Sequence, residues 1–362
     1  MLHKDFTRRD VIKFGLIASG AVLLSSCEKA VGLDLGASQL RSPDLSNSKM
    51  VELVRYATLA ANGHNTQPWK FRVIGETIEI HPDASRRLAV VDPQDREQWI
   101  SLGCALENLI IAAGATGFSN EVIYPKEQQD FITVKLKTDT PNVSNLFDFI
   151  SVRQSTRSEY RKEALSNSTL SQLHEVTSEP GVFLQFIETN SEIEKVLEYV
   201  NAGNLQQYGD KAFLEELIAW LRFNKKEALS TMDGLYSKCS GNPTVPRFLG
   251  EMFVSGTKPQ QQADADAKKL RSSSGSIILA TENDTPEDWV RCGQVFERIS
   301  LQLTSLDLKS ALLNQPIEVP ELRSEFQNAM GLGRHLPQLV MRYGVAEALP
   351  YSLRRPVKEV LF

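Results

Sequence analysis

The sequence predicts an α+β fold in which one small unit of helices and strands occurs twice. A helical pattern that begins with Glu97-Gln98-Trp99 returns as Glu287-Asp288-Trp289, at an offset of 190 in the numbering. A short helix that leads into a strand is also repeated, at an offset of 112. Neither copy has the regular strand–helix–strand alternation of a parallel sheet. We therefore expect two similar halves that pack as a fused, pseudo-symmetric pair.

Each half is predicted to contain a short helix, a strand, a long helix and a second strand. The first half covers residues 49–142 and the second covers residues 143–362. Both long helices contain a glycine, at a cost of about 1 kcal/mol relative to alanine, which suggests that another backbone passes close by. The predicted elements are short helices at Met50–Ala61 and Thr169–Thr177, strands at Lys70–Ile74, Phe131–Leu136, Val182–Ile187 and Gln338–Tyr343, and long helices that contain Gly103 and Gly293.

The increase in offset, from 112 at the short helix and strand to 190 at the long helix, predicts an insertion in the second half, at approximately residues 190–272. Helical patterns cover Ile193–Ala202 and Phe213–Leu229, whereas Ser237–Ala267 is rich in Gly, Pro and Gln and is expected to be loose. We interpret the insertion as a lid over a site. The alternative is a passive structural elaboration.

Residues 1–26 have the pattern of an export signal. The pair Arg8-Arg9 precedes the apolar stretch Phe14–Leu24, which is too short to span a bilayer as a helix. This arrangement resembles a twin-arginine (Tat) signal. Leu24-Ser25-Ser26-Cys27 resembles a bacterial lipoprotein processing site. We expect residues 1–26 to be removed and residues 27–48 to form a linker. A lipid on Cys27 would then hold the protein at the periplasmic face of a membrane. The alternative is an amphipathic N-terminus with an incidental cysteine.

The composition is that of a globular protein and excludes several classes of partner. Hydrophobic residues make up 41% of the 362 residues and charged residues 23%, which excludes a disordered or fibrous chain. The net charge of −5 gives no basic footprint for nucleic acid. The four cysteines are too few for a disulfide scaffold. None of the five histidines has a partner at ligand spacing, so no metal site is expected.

Three polar segments are candidates for a binding site. The turn from Asn62 to Trp69 offers side-chain amides that suit the edge of a heterocycle, although it also suits a simple helix stop. Arg153-Gln154-Ser155-Thr156-Arg157 combines guanidinium groups and hydroxyls that suit a phosphate, or else forms a solvated helix end. The pair Arg354-Arg355 adds positive charge to that phosphate or belongs to a surface tail.

Together these segments resemble the FMN-dependent nitroreductase family. His64-Asn65-Thr66-Gln67-Pro68-Trp69 is similar to the family's PSSxNxQPW turn, and Arg153–Arg157 is similar to its RxSx[RK] phosphate-binding start. Leu339–Gly344, followed by Arg354-Arg355-Pro356, resembles its C-terminal strand and basic tail. The resemblance extends over about Met50 to Phe362 apart from the insertion. It is closest to the Acg-like branch of NAD(P)H nitroreductases, in which two nitroreductase-like halves are fused.

The resemblance implies a nitroreductase-like fold with FMN as cofactor. Only the first half has the amide-bearing turn and only the second has the arginine-rich start, so we expect one FMN site per chain, built across the two halves of a monomeric pseudo-dimer. By the resemblance, the phosphate would be held by Arg153, Ser155 and Arg157, with help from Arg354 or Arg355. The flavin ring or the ribityl chain would face Asn62, Asn65 and Gln67. Flavin N5 would lie near Asn314 and Gln315.

The activity implied is ping-pong hydride transfer from reduced nicotinamide, or another donor, to a nitroaromatic or quinone-like acceptor. This chemistry requires no catalytic acid or base, and the sequence nominates none. Free NAD(P)H is not expected outside the cytoplasm, so two rival hypotheses remain open. One is an exported lipoprotein that binds or sequesters flavin with little turnover. The other is a degenerate scaffold without a cofactor.

Overall fold

The computed structural model of the protein describes residues 41–44, 48–126 and 129–362. Within these residues the predicted α+β class is confirmed, since helices and antiparallel strands both contribute to each half. The predicted export signal, residues 1–26, and the predicted lipid attachment site, Cys27, lie outside the described residues.

The first half is a four-stranded antiparallel sheet packed against a long helix. Its elements in chain order are α1 (Lys49–Thr58), β1 (Trp69–Ile74), β2 (Thr77–Pro82), α2 (Arg96–Ala115), β3 (Phe118–Ile123) and β4 (Ile132–Thr138). The strand order is β1-β2-β4-β3. A tight turn joins β1 to β2 at Gly75, whose φ of 59° belongs to the left-handed region that glycine tolerates.

The second half begins with the same helix and strand and is then interrupted by the insertion. It starts with α3 (Asn167–His174) and β5 (Val182–Ile187). The insertion follows as α4 (Asn190–Gln207), α5 (Lys211–Trp220), β6 (Leu221–Arg222), α6 (Lys225–Thr231), β7 (Leu235–Tyr236), α7 (Arg247–Ser255) and α8 (Pro259–Arg271). The half then resumes with β8 (Gly275–Thr281), α9 (Pro286–Ser305), β9 (Lys309–Leu312), α10 (Gln315–Glu318), α11 (Pro320–Ala329) and β10 (Leu336–Gly344).

The two sheets have the same topology, which is the structural counterpart of the sequence repeat. The second sheet has the order β5-β8-β10-β9, so β5, β8, β9 and β10 take the places of β1, β2, β3 and β4. All of these pairings are antiparallel. The insertion lies between β5 and β8, where the first half has only the turn at Gly75.

Several elements differ from the sequence-based expectation. Six strands were not predicted, namely β2, β3, β6, β7, β8 and β9. All seven residues of β8 are buried, so its sequence lacks the alternation that marks a half-exposed strand. The segment Ser237–Ala267, expected to be loose, contains α7 and most of α8. The helix predicted at Phe213–Leu229 is interrupted at Leu221-Arg222, which pairs with β7.

The long helices α2 and α9 cross at their two glycines, so the backbone that the sequence predicted to pass close to each glycine is that of the other long helix. A Cβ added to Gly103 would lie 2.1 Å from the Val290 carbonyl oxygen, and one added to Gly293 would lie 2.0 Å from that of Ile100. The backbones therefore touch at this crossing. In the part of the chain that the structure describes, only α2 is long and apolar enough to span a membrane, and most of it is buried in the protein.

Candidate functional site

A cavity of about 230 Å³ lies where the two halves and the insertion meet. The first half contributes Asn62 and His64 from the turn that follows α1, and the second contributes Arg157, Asn314 and Gln315. The insertion covers the cavity with Gln207, Tyr208, Phe213, Leu217 and Leu235. Four of the ten predicted site residues (Asn62, Arg157, Asn314 and Gln315) therefore line one cavity.

The turn after α1 has a strained backbone that is fixed by its own polar groups. His64, Asn65 and Gln67 have φ values of 49°, 55° and 53°, in the left-handed region that side chains other than glycine rarely adopt. The Asn62 Oδ1 accepts a hydrogen bond from the Gln67 backbone N–H at 2.9 Å. This closed turn presents Asn62 and His64 to the cavity.

Asn65 and Gln67, also predicted as site residues, do not line the cavity. The Asn65 Nδ2 donates to the carbonyl oxygens of Gly234, at 3.0 Å, and Leu353, at 3.2 Å. The Gln67 Nε2 donates to the Met232 carbonyl oxygen at 2.9 Å. These side chains join the turn to the insertion and to the C-terminal segment.

Arg153 and Arg354 lie next to the turn but bind the protein itself. The Arg354 Nε donates to the Thr58 carbonyl oxygen at 2.9 Å, and its Nη1 donates to the Asn65 Oδ1 at 2.6 Å. The Arg153 Nη2 donates to the Leu59 carbonyl oxygen at 3.1 Å. Both guanidinium groups thus satisfy the carbonyl groups that the end of α1 leaves without helical partners.

The two other predicted phosphate ligands, Ser155 and Arg355, are also outside the cavity lining. Ser155 forms a backbone bridge with Ser310. The Arg355 Nη2 donates to the Gln67 carbonyl oxygen at 2.7 Å, and the Arg355 backbone N–H donates to the Gln67 Oε1 at 2.8 Å. The Ser155 bridge joins its segment to β9, and the Arg355 contacts fix the C-terminal segment against the turn.

Arg157 differs from the other predicted arginines because it lines the cavity. Among the residues that the structure describes, no carboxylate forms an ion pair with it. Burial lowers the pKa of Arg157. Burial, and then the charge of Arg157, also lower the pKa of the nearby His64 to about 4, so the imidazole is neutral at pH 7.

Sequence reasoning missed a buried charge cluster behind the turn. Glu297 belongs to α9, and its Oε1 lies 2.9 Å from the Arg153 Nε. Arg41 lies alongside, its Nη1 donating to the Ser151 carbonyl oxygen at 2.9 Å and its guanidinium 4.2 Å from the Tyr351 ring. Burial and the charge of Arg153 lower the pKa of Arg41 to about 10. The sequence did contain a signal for this cluster, because Arg41 and Arg153 are related by the same offset of 112 as the two short helices.

The cavity lining also contains two glutamates, Glu97 and Glu318, that were not predicted. The Asn314 Nδ2 donates to the Glu97 Oε1, and the Arg96 Nη2 lies 3.0 Å from the same oxygen. The Glu318 Oε2 accepts a hydrogen bond from the Gln207 Nε2 at 2.6 Å. Burial, and then the charge of Glu97, raise the pKa of Glu318 to about 8.

This raised pKa predicts a pH dependence of stability. The ordinary pKa of the Glu318 carboxyl is 4.5, so between pH 4.5 and about 8 the folded protein keeps a proton that the unfolded chain releases. The free energy of unfolding therefore falls as the pH rises through this window. His64, with a folded pKa of about 4 against an ordinary 6.5, has the opposite effect, but only below pH 6.5.

Between pH 6.5 and 8 we expect the stability to fall by up to about 1.4 kcal/mol per pH unit. Glu318→Gln should remove this slope. The slope is measured by urea unfolding of the unmodified protein and of the variant, each at pH 6.5 and at pH 8. The same dependence of unfolding free energy on pH in both proteins would contradict the raised pKa of Glu318.

No family model matches the chain. Among solved structures, the FMN-dependent nitroreductase NfnB from Mycobacterium smegmatis in complex with NADPH is similar with a TM-score of 0.40 at 12% identity, over 58% of this chain and 94% of that one. A nitroreductase-like family protein from Bacillus cereus has a TM-score of 0.36 at 12% identity, over 60% of this chain and 95% of its own.

Curated relatives match most of the chain. A Mycobacterium tuberculosis protein named "putative NAD(P)H nitroreductase Rv3131" is 25% identical over 340 residues, which cover 88% of this chain and 92% of that protein. A second M. tuberculosis protein, "putative NAD(P)H nitroreductase acg", is 23% identical over 320 residues, or 85% of this chain and 93% of its own length. Similarity over this much of the sequence supports the resemblance of the chain to the nitroreductase family.

Proposed function

We propose that this protein is an FMN-dependent oxidoreductase of the nitroreductase type, in the fused Acg-like branch. Its reaction is a ping-pong hydride transfer from reduced nicotinamide, or another donor, to a nitroaromatic or quinone-like acceptor. The similarity to the two mycobacterial relatives supports this class of activity. The observation that carries the proposal for this chain is the cavity to which both halves contribute.

The chemistry of the cavity lining fits a flavin mononucleotide. Arg157 supplies a cation without a carboxylate partner among the described residues. The Gln315 Oε1 is buried and accepts no hydrogen bond there. Asn62 adds a second side-chain amide to the lining. A ligand with a phosphate and a heterocyclic edge would satisfy these groups, since guanidinium binds phosphate oxygens and amides bind donors and acceptors of a ring.

The cavity is small for a cofactor of this size. Ligand pockets usually enclose about 300–1,000 Å³, whereas this cavity encloses about 230 Å³. Its roof consists of insertion side chains, including Tyr208, Phe213 and Leu217. Binding of FMN therefore requires the roof to move outward, which makes the insertion a lid in this proposal.

The chemistry that FMN supplies when bound is hydride transfer, and the protein's part is to bind, orient and exclude water. Arg157 would neutralise negative charge on the ligand. Asn62 and Gln315 would fix the orientation of the ring through hydrogen bonds. The lid would exclude water from the reacting groups. Glu318, whose pKa of about 8 keeps its carboxyl protonated at pH 7, would hold a proton at the edge of the cavity.

The replacement of Arg157 tests the proposed binding site. Arg157→Gln should lower FMN affinity at least about tenfold, because a charge-assisted contact to phosphate contributes about 1.5–3 kcal/mol. Flavin fluorescence titration of the refolded apoprotein measures this affinity. The matched control is Arg161→Gln, since Arg161 lies four residues away with an exposed side chain that pairs with Glu347. Equal affinities of the two variants would contradict the proposal.

A second function, flavin sequestration with little turnover, is favoured by the position of insertion side chains over the cavity. Anaerobic titration of the purified yellow protein with NADPH separates the two functions. Rapid bleaching of the flavin absorbance is expected of the oxidoreductase. Retention of the oxidised spectrum, with a chemical reductant still able to bleach it, is expected of a sequestering protein.

We also propose that the chain is exported through the twin-arginine route and held by a lipid on Cys27 at the periplasmic face of a membrane. The order of Arg8-Arg9, the apolar stretch and Cys27 supports this localisation. Cys27→Ser should move the protein out of the membrane fraction, and Arg8→Lys with Arg9→Lys should keep it in the cytoplasm. Cell fractionation measures both, and an unchanged distribution of both variants would refute the localisation.

A further inference from the structure

Helix α7 of the insertion exposes a wide apolar face. Phe248, Met252 and Phe253 are 68%, 57% and 59% exposed. At 100° per residue these positions span an arc of about 140° around the helix. The opposite face is fixed to the protein, because Gly250 packs against the Phe223 ring so closely that an added Cβ would lie 2.2 Å from it. The exposed side chains are therefore held outward by the packing of the helix.

The sequence segment that contains α7 has an excess of basic over acidic residues, unlike the whole chain. Residues 221–258 contain six basic and three acidic residues, whereas the whole chain contains 40 and 45. Lys226 and Lys258 are exposed, and Lys258 follows the end of α7 by three residues. Three large apolar side chains beside a local excess of positive charge are typical of a helix that lies in the interface of an anionic membrane.

Arg41, the first residue that the structure describes, lies near the same insertion. The Arg41 guanidinium lies over the Tyr351 ring. The Tyr351 carbonyl oxygen accepts a hydrogen bond from the Cys239 Sγ at 3.4 Å. Cys239 precedes α7 by eight residues. A lipid or apolar segment attached through residues 1–40 is thus joined to the protein on the side that carries the insertion.

We propose that the exposed face of α7 docks on an anionic lipid surface, with Phe248, Met252 and Phe253 inserted at the level of the headgroups. A second copy of the chain is the competing occupant. Three side chains give much less than the roughly 800 Å² per partner of a stable interface, and two copies would bring like-charged segments together. The lipid surface meets both the apolar and the electrostatic requirement.

The docked helix would be linked to the cavity roof. The Arg247 Nη2 at the start of α7 donates to the Ile218 carbonyl oxygen of α5 at 3.3 Å, and α5 supplies Phe213 and Leu217 to the roof. The membrane surface and the lid would therefore be joined by one short chain of contacts.

A fluorescent probe on α7 tests the docking separately from any N-terminal tether. Met252→Cys in the full chain with Cys27→Ser is labelled with NBD, because the remaining cysteines at 104, 239 and 292 are buried. Val143→Cys, at a position that is 63% exposed and lies outside the insertion, is the matched control. Vesicles of phosphatidylcholine and phosphatidylglycerol with nitroxide-labelled acyl chains are then added to each protein.

We expect the probe at position 252 to shift to the blue and to be quenched by the labelled lipids, and the probe at 143 to show neither change. Phe248→Asp with Phe253→Asp should reduce the quenching at 252 to the level seen at 143, and it should also reduce the amount of the chain that sediments with vesicles. Vesicles without phosphatidylglycerol should quench several-fold less. An unquenched probe on vesicle-bound protein would overturn the proposal. A blue shift of the probe at position 252 that grows with protein concentration in the absence of vesicles would also overturn the proposal. It would indicate that a second copy of the chain covers the exposed face of α7.

Discussion

Gly293→Ala is expected to lower the free energy of unfolding by about 3 kcal/mol, near the upper end for the insertion of one methyl group into a packed interior. The new Cβ would lie 2.0 Å from the Ile100 carbonyl oxygen and 2.9 Å from the Gly103 Cα. Both contacts are with backbone atoms of a buried helix, which cannot move aside without separating α2 from α9. Urea unfolding measures the loss as a lower midpoint.

Gly103→Ala should have a similar effect, because its Cβ would lie 2.1 Å from the Val290 carbonyl oxygen. Gln302→Ala places alanine in the same long helix without a backbone clash and is the matched control. Alanine has the higher helix propensity, so a gain in stability for Gly293→Ala would mean that the helices do not touch here.

Glu297→Gln is expected to cost about 3–5 kcal/mol of stability, because it removes the buried partner of an arginine cluster. Glu297 is fully buried, and Arg153, Arg354 and Arg41 lie around it. Burial raises the pKa of Glu297, while the charges of Arg153 and Arg354 oppose that shift. The glutamine keeps the shape of the side chain but leaves buried guanidinium groups without compensation.

A double-mutant cycle with Arg153→Met and Glu297→Met tests whether the two groups act as a pair. The double variant should lose less stability than the sum of the single losses. Glu194→Gln, which breaks the exposed pair with Arg271, is a control for an ion pair of little energetic value. Additive losses at 153 and 297 would contradict the pairing.

The pseudo-symmetric counterpart of Glu297 in the first half has a different arginine partner. Glu107 occupies the position in α2 that Glu297 occupies in α9, at the same offset of 190 that relates the two helices. Its partner is Arg298, with Nε 2.7 Å from the Glu107 Oε1. Each half thus keeps a buried glutamate but neutralises it with a different arginine. Only Glu297 is neutralised from the segment that also carries Arg157.

The repeat was visible in the sequence because helix crossings impose strict local requirements. Gly103 and Gly293 are needed where two backbones touch, so the pattern around them was retained in both copies. Strand β8 was not predicted because complete burial removes the alternation on which strand prediction depends. Helix α7 was not predicted because the glycine- and proline-containing residues before it dominate the local composition.

The candidate site was predictable by residue type but not by contact. Arginine is equally suited to a phosphate and to the carbonyl groups at a helix end, and only the structure distinguishes Arg157 from Arg153 and Arg354. The amides of Asn65 and Gln67 are likewise used by the insertion, whose path the sequence does not specify. Glu318 and Gln207 were missed because they are far apart in the chain and meet only in the folded protein.

The stoichiometry of bound flavin tests the central claim most directly, because the two halves are proposed to build a single FMN site. The purified protein, saturated with FMN and freed of excess, is assayed by flavin absorbance after denaturation and by quantitative amino-acid analysis. We predict one FMN per chain, and a loss of that FMN in Arg157→Gln but not in Arg161→Gln. Two FMN molecules per chain, or a protein that binds none, would contradict the account.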